Sequence, residues 1–183
     1  MTRRDIIARS VQNLTDARYF AAWMVKYMSF DLRKDSINFI GAKNVTEIIN
    51  WLAGPTFLGD FSGHSDLNFI VETCKELNLS GVIIDNKMYA EELSKSVDVV
   101  FYETDNFELI GETKVLIICK LEHQQVYRES GHKVYLHGNA LPLNIIKSIP
   151  IDVGLGLQGG EEIKTGLKSF DQLDEIFDVL AEE

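Results

Sequence analysis

Apolar and polar residues along this chain keep switching between two periods. Short apolar runs of strand character cover residues 5–11, 27–32, 55–61, 82–84, 97–102, 114–121, 133–137 and 149–157. Each is followed by a stretch whose apolar residues recur every three or four positions. Asn13-Leu14-Thr15-Asp16 offers an N-cap, after which Ala17, Phe20, Ala21 and Met24 share one helical face. Val45, Ile48, Ile49 and Leu52 share a face over residues 44–52, and Ser65-Asp66 caps a helix that runs to Leu77. Further helical patterns fall at 89–95, 122–129, 142–148 and 170–180, with only a weak one at 107–110.

The pattern amounts to eight strand–helix units without a break or a linker. Eight units in 183 residues leave about 23 residues for each, which is tight for a barrel but feasible with short loops. Runs such as Val82-Ile83-Ile84 and Val115-Leu116-Ile117-Ile118 are apolar on both faces, as expected of strands covered from two sides. An open doubly wound sheet needs only five or six units. The count therefore predicts a compact (β/α)8 TIM barrel with short loops, one domain over residues 1–183.

Composition changes this picture little but narrows the partners. A hydrophobic content of 45% with 25% charged residues is that of a soluble globular chain. No apolar run approaches the roughly 18–20 residues of a membrane span, and the N-terminus leads straight into a strand with no signal peptide, so a cytoplasmic protein is expected. The net charge of −10 argues against nucleic acid and anionic membrane as partners. Cys74 and Cys119 sit in apolar contexts as structural thiols. Neither they nor His64, His123, His132 and His137 have metal-ligand spacing, so no metal and no cofactor is expected. The sequence sets no oligomeric state.

In a barrel the chemistry sits where strands end and βα loops begin. The polar residues at those ends are Arg9, Asp31, Asp60, Asp85, Glu103 with Asp105, Cys119 with Lys120, His137 and Gln158. Wet loops account for most of such a set, but Arg9 stands out among apolar Ile6, Ile7, Ala8 and Val11. Arg9 amid Asp31, Asp60, Asp85 and Glu103 could order an ion-pair network or, with oxygen ligands, a divalent cation. Gly156-Leu157-Gln158-Gly159-Gly160-Glu161-Glu162 reads as a turn between the last strand and the last helix. Its backbone N–H groups are either an anion cradle or part of a plain glycine turn.

In these same motifs the chain resembles the phosphoribosylanthranilate isomerase family along nearly its whole length. The family's opening Lys-x-Cys-Gly-Ile-Thr and Asn-Leu-x-Asp-Ala correspond to Ile7-Ala8-Arg9-Ser10-Val11-Gln12 and Asn13-Leu14-Thr15-Asp16-Ala17. Its Ser-Pro-Arg-Tyr-Val corresponds to Ser36-Ile37-Asn38-Phe39-Ile40, and its Gly-Gly-Leu-Asn-Pro-x-Asn-Val to Gly138-Asn139-Ala140-Leu141-Pro142-Leu143-Asn144-Ile145. Its Asp-x-Ser-Ser-Gly-Val-Glu, ending in Gly-x-Lys-Asp, is echoed by residues 156–162 and by Gly166-Leu167-Lys168-Ser169.

The resemblance implies a tryptophan-pathway barrel that rearranges an N-phosphoribosyl anthranilate to a 1-amino-ketose. A base takes the C2′ proton and an acid protonates the ring oxygen. The family's base falls on Arg9, which cannot accept a proton, and its acid falls on Cys119. The arginine that holds the anthranilate carboxylate falls on Asn38, and the aspartate of the eighth strand falls on Gly156. The phosphate site falls on Gly138, Asn139, Gly159 and Gly160. The expectation is a barrel that binds a small phosphorylated, sugar-type ligand with the isomerase base and acid replaced. One alternative is a working isomerase with acid and base relocated among Asp31, Asp60, Asp85, Glu103 and His137. Another is a non-catalytic structural or regulatory barrel.

Overall fold

The computed structural model describes residues 4–106, 108, 110–111, 114–159, 162–164 and 167–182. Eight parallel strands close into a barrel in sequence order. They are β1 (Ile6–Arg9), β2 (Tyr27–Asp31), β3 (Thr56–Asp60), β4 (Gly81–Ile84), β5 (Val99–Glu103), β6 (Leu116–Cys119), β7 (Val134–His137) and β8 (Gly154–Gln158). The ring shuts where β8 pairs with β1, in register from Ile6 opposite Leu155 to Arg9 opposite Gln158. Helices α1 (Leu14–Ala22), α2 (Ala42–Trp51), α3 (Leu67–Glu76), α4 (Lys87–Leu93), α5 (Gln124–Glu129), α6 (Leu143–Ser148) and α7 (Asp171–Ala181) surround it. This is the (β/α)8 barrel the periodicity predicts.

The alternation of side chains along each strand produces two apolar layers. Ile7, Tyr27, Leu58, Ile83, Phe101, Ile118 and Tyr135 fill the lumen. Their neighbours in sequence, among them Ala8, Met28, Val82, Tyr102, Ile117 and Leu136, pack outward against the helices. Two positions beyond the lumen set, the same parity delivers Arg9, Asp60, Asp85, Glu103, Lys120 and His137 to the C-terminal mouth. Ser29 and Asp31 follow Tyr27 in the same way.

The predicted caps are in place. Asn13 accepts the Asp16 N–H at 2.9 Å, and Asp66 accepts the Phe69 N–H at 3.1 Å. Other boundaries differ from the sequence reading. β1 stops at Arg9 because Ser10 turns into the left-handed region, with φ of 50°. The apolar run predicted as a strand over 149–157 is two structures. Ile149 caps the end of α6, Val153 N–H closes a turn onto the Pro150 carbonyl at 3.0 Å, and only Gly154 onward is strand. Gly156, Leu157 and Gln158 therefore lie inside β8 rather than in a turn. The ribbon of β9 (Glu162–Lys164) and β10 (Leu167–Lys168) that follows was not anticipated.

Between β5 and β6 no helix is present among the described residues. Phe107 and Leu109, from the weak helical pattern, lie outside them. The described neighbours are held by side chains: Tyr127 Oη accepts the Glu108 N–H at 3.0 Å, and Tyr102 Oη donates to Glu108 Oε2 at 2.8 Å. The opposite end of the barrel is tied by Arg4, whose guanidinium donates to the carbonyls of Ile149, Pro150 and Val153 at 2.8–3.0 Å.

Candidate functional site

Arg9 ends β1 with its guanidinium in the mouth. Nη1 and Nη2 donate to Glu103 Oε1 and Oε2 at 2.6 and 2.8 Å, a bidentate fork, and Nη2 also reaches Asp60 Oδ2 at 3.1 Å. Such a fork matches guanidinium to carboxylate geometry and adds orientation to charge. Gly156 makes room for it, since a Cβ there would stand 3.1 Å from Arg9 Cδ. Burial pulls the Arg9 pKa down, but Glu103 and Asp60 more than offset this and raise it, so the side chain stays cationic.

Each carboxylate of the mouth has its own partners. Burial pushes the Glu103 carboxyl up, yet the Arg9 fork outweighs it and holds the group below its ordinary value. Asp60 accepts the Ser62 N–H at 3.0 Å as well as Arg9, but burial dominates and holds it above the ordinary value. Asp31 is fully enclosed. It accepts from Arg33 Nε at 2.8 Å, Arg33 Nη2 at 2.6 Å and Ser36 Oγ at 2.6 Å, and these bonds overcome burial to lower its pKa. Asp85 is exposed and its Oδ1 accepts the Gly63 N–H at 2.7 Å, fixing the loop after β3.

His137 ends β7 and is partly exposed. Its Nε2 lies 3.4 Å from Glu103 Oε1. Burial, helped by the Arg9 charge, lowers its pKa against the pull of Glu103, which leaves the imidazole neutral at neutral pH. No hydrogen bond to its Nδ1 is present among the described residues.

Cys119 requires a correction. It shares the outward parity of Ile117 and packs in the layer beneath the helices, fully buried. Burial, with Glu122 nearby, pushes the thiol up to about 12. A proton donor at the mouth cannot come from it. The next residue, Lys120, is the one on the mouth parity, 3.7 Å from Asp105.

The candidate phosphate residues are partly brought together. Gly138, Asn139 and Ala140 form a 3-10 turn after β7. The Asn139 side chain clasps the end of β8: Oδ1 accepts the Gln158 N–H at 2.6 Å and Nδ2 donates to the Gln158 carbonyl at 2.9 Å. One amide of the expected cradle is thus satisfied within the protein. Gly159 lies beside the Asp16 carboxylate, and Gly160 is outside the described residues. Asn38 lines the same cavity, whose volume is about 310 Å³ and whose wall includes Arg9, Arg33, Glu103, His137 and Gln158. A second hollow of about 400 Å³ adjoins it across Arg9, Arg33, Glu103 and His137. Sequence reasoning missed Arg33. The signal was there, because Asp31 also accepts the Arg33 N–H at 3.1 Å, a local turn readable as Asp-x-Arg at a strand end.

Among the described residues no three His, Cys, Asp or Glu side chains are grouped as metal ligands, and no helix is long and apolar enough to cross a membrane. Fold and mouth together define the class: a (β/α)8 barrel with a polar, ion-paired cavity at the C-terminal ends of its strands. Within that class it is similar to the phosphoribosylanthranilate isomerase from Thermus thermophilus, with 18% identity over 98% of both chains and a TM-score of 0.79. It is similar to a phosphoribosylanthranilate isomerase solved in complex with reduced 1-(o-carboxyphenylamino)-1-deoxyribulose 5-phosphate, with 14% identity over all of both chains and a TM-score of 0.77. A glycerophosphodiester phosphodiesterase from Parabacteroides distasonis matches at 10% identity over 99% of this chain and 98% of that one, with a TM-score of 0.65. No family model and no curated protein matches the sequence. At these identities a shared fold is what the likeness establishes.

Proposed function

We propose that this chain is a phosphoribosylanthranilate isomerase-like barrel that binds a small phosphorylated, sugar-type ligand in its mouth. In this reading the isomerase reaction is not run from the family's base and acid positions. The observation that carries it is Arg9: the residue at the base position is a cation forked onto Glu103 and paired with Asp60. A clamped guanidinium neither takes the proton at C2′ nor leaves room for a thiolate to do so. The acid position is no better supplied, because Cys119 faces the helices.

The binding half is supported by shape and lining. A cavity of about 310 Å³ falls in the range of small-ligand sites, and Asn38, Asn139, Gln158 and His137 offer neutral donors and acceptors suited to hydroxyls. The phosphate end is assigned to the turn at Gly138 and Asn139 with Gly159 and Gly160, where barrels of this type use backbone N–H groups. One of the similar proteins was solved with a deoxyribulose 5-phosphate derivative. Two buried free thiols fit a cytoplasmic setting.

Two measurements test the reading. In a strain lacking the isomerase, the chain is expected not to restore growth without tryptophan, and growth would overturn the loss of the reaction. Ribose 5-phosphate is expected to raise the melting temperature. Saturation at about 100 times Kd adds about 2.7 kcal/mol of stability, and no shift at millimolar ligand would sink the binding half.

A further inference from the structure

We infer that a hollow between the loops after β2 and β3 is a nucleotide site, next to the sugar-phosphate cavity but independent of that reading. The base stacks on His64 and Phe69, and the phosphate groups meet Lys34 and Arg33. The hollow has a volume of about 600 Å³, and Arg33, Lys34, Asp35, His64 and Phe69 are among the residues that line it. That is room enough for a nucleoside diphosphate. His64 and Phe69 lie nearly parallel, with ring centroids 4.7 Å apart and an interplanar angle of 8°. Phe69 keeps 41% of its surface exposed, so the pair offers an open aromatic platform. Such a platform takes a further flat ring whatever the identity of the base. It is held in place by its own loop. His64 Nδ1 accepts the Asp66 N–H at 3.3 Å, and the Phe69 N–H donates to Asp66 Oδ1 at 3.1 Å. The Gly63 N–H donates to Asp85 Oδ1 at 2.7 Å, and the Ser65 carbonyl accepts from Tyr89 Oη at 3.2 Å.

The other loop supplies the charge. Arg33 holds Asp31 through Nε and Nη2 at 2.8 and 2.6 Å, which fixes the guanidinium and leaves Nη1 without a hydrogen bond among the described residues. Lys34, the next residue, is exposed and makes no ion pair among the described residues. Asp35 in the same wall repels phosphate but accepts from hydroxyls, a role carboxylates play toward the ribose of bound nucleotides. A bare sugar phosphate uses the cations without the platform, and an uncharged ring uses the platform without the cations. A nucleotide uses both. The net charge of −10 disfavours a polynucleotide, which commits the site to free nucleotide.

The test is calorimetric titration of the full chain with ADP and with adenosine, with ribose 5-phosphate titrated in parallel. ADP is expected to bind saturably, and saturation-transfer NMR is expected to place its base protons closest to the protein. Phe69→Leu keeps an apolar side chain at a half-exposed position but removes the ring. It is expected to weaken ADP and adenosine alike by about 5- to 150-fold and to leave ribose 5-phosphate binding unchanged. Lys34→Gln, at an exposed position that cannot unfold the barrel, is expected to weaken ADP and spare adenosine. Absence of saturable ADP binding at millimolar concentration overturns the proposal, while the ribose 5-phosphate titration reports on the mouth separately. ADP affinity that survives Phe69→Leu, with the fold confirmed by circular dichroism, overturns it too, because the nucleotide is then held elsewhere. ADP affinity unchanged by Lys34→Gln overturns the phosphate assignment.

Discussion

Arg9 retains 12% of its side-chain exposure and Asp60 only 2%, so their pairing takes place largely out of water. Two charges moved there cost several kcal/mol each before their attraction is counted. Cutting out one member of such a set is therefore far worse than never having had it. Arg9→Met leaves Glu103 and Asp60 facing one another without their shared cation. It is expected to destabilise the fold by about 3–5 kcal/mol in urea unfolding. Adding Glu103→Gln should recover part of that loss, because one of the stranded charges is gone. If Arg9→Met costs less than about 1 kcal/mol, the pairing is a surface one and Arg9 is not seated in the mouth as described. The same residue shows what can be read at this scale from sequence. An arginine among Ile6, Ile7, Ala8 and Val11 is conspicuous, and its clustering with Asp60 and Glu103 follows from strand-end parity once the barrel is recognised. Cys119 was not readable in this way. A single step along β6 separates the lumen face, held by Ile118, from the helix face, and strand ends are not fixed to one residue by an apolar run.

Elements that announce themselves through contacts three residues apart were legible, and those that depend on distant partners were not. The caps at Asn13 and Asp66 belong to the first kind, since each closes onto an N–H three positions later. The start of β8 belongs to the second. Residues 149–153 are as apolar as a strand, yet Arg4, from the other end of the chain, takes the carbonyls of Ile149, Pro150 and Val153 and leaves them in a capped helix end and a turn. Gly154 then begins the strand because nothing larger fits: a Cβ there would lie 2.2 Å from the Tyr135 ring. At the other end of β8 the Asn139 clasp plays the corresponding part, joining the turn after β7 to Gln158 through two hydrogen bonds. Both bonds are exposed to water, which limits their worth. Asn139→Ala is expected to cost about 1–2 kcal/mol and to weaken ribose 5-phosphate binding more than it lowers the melting temperature. Binding left intact by Asn139→Ala would remove this turn from the ligand site.

Over the whole molecule, the ionisable groups of the mouth and of the barrel floor set opposing demands on pH. His137 has its pKa lowered from the ordinary 6.5, so its contribution is complete above that value and is lost as pH falls through the lower, folded one. Glu103 is lowered from 4.5 and Asp31 from 3.8. Asp5, which accepts from Lys26 and Tyr135 at the floor, is also lowered from 3.8. Their contributions are present above those values and disappear as acid protonates the folded carboxyls. Asp60 runs the other way: it is raised, so its share is fullest below 3.8 and is lost as pH rises through its folded value. A net charge of −10 adds a second opposing influence, because acidification toward the sequence pI near 4.9 relieves self-repulsion. Salt separates these influences. At 1 M ionic strength the Debye length is about 3 Å, which silences repulsion between exposed charges but screens buried pairs much less. Urea midpoints in 1 M NaCl are therefore expected to hold steady from pH 8 to about 6.5 and then to decline in two stages, the first belonging to His137 and the second to the carboxylates. His137→Gln should erase the first stage and keep the second. Stability that instead climbed between pH 7 and pH 5 in high salt, where self-repulsion is silenced, would mean that Asp60, with its raised pKa, outweighs His137 and the lowered carboxylates over that range.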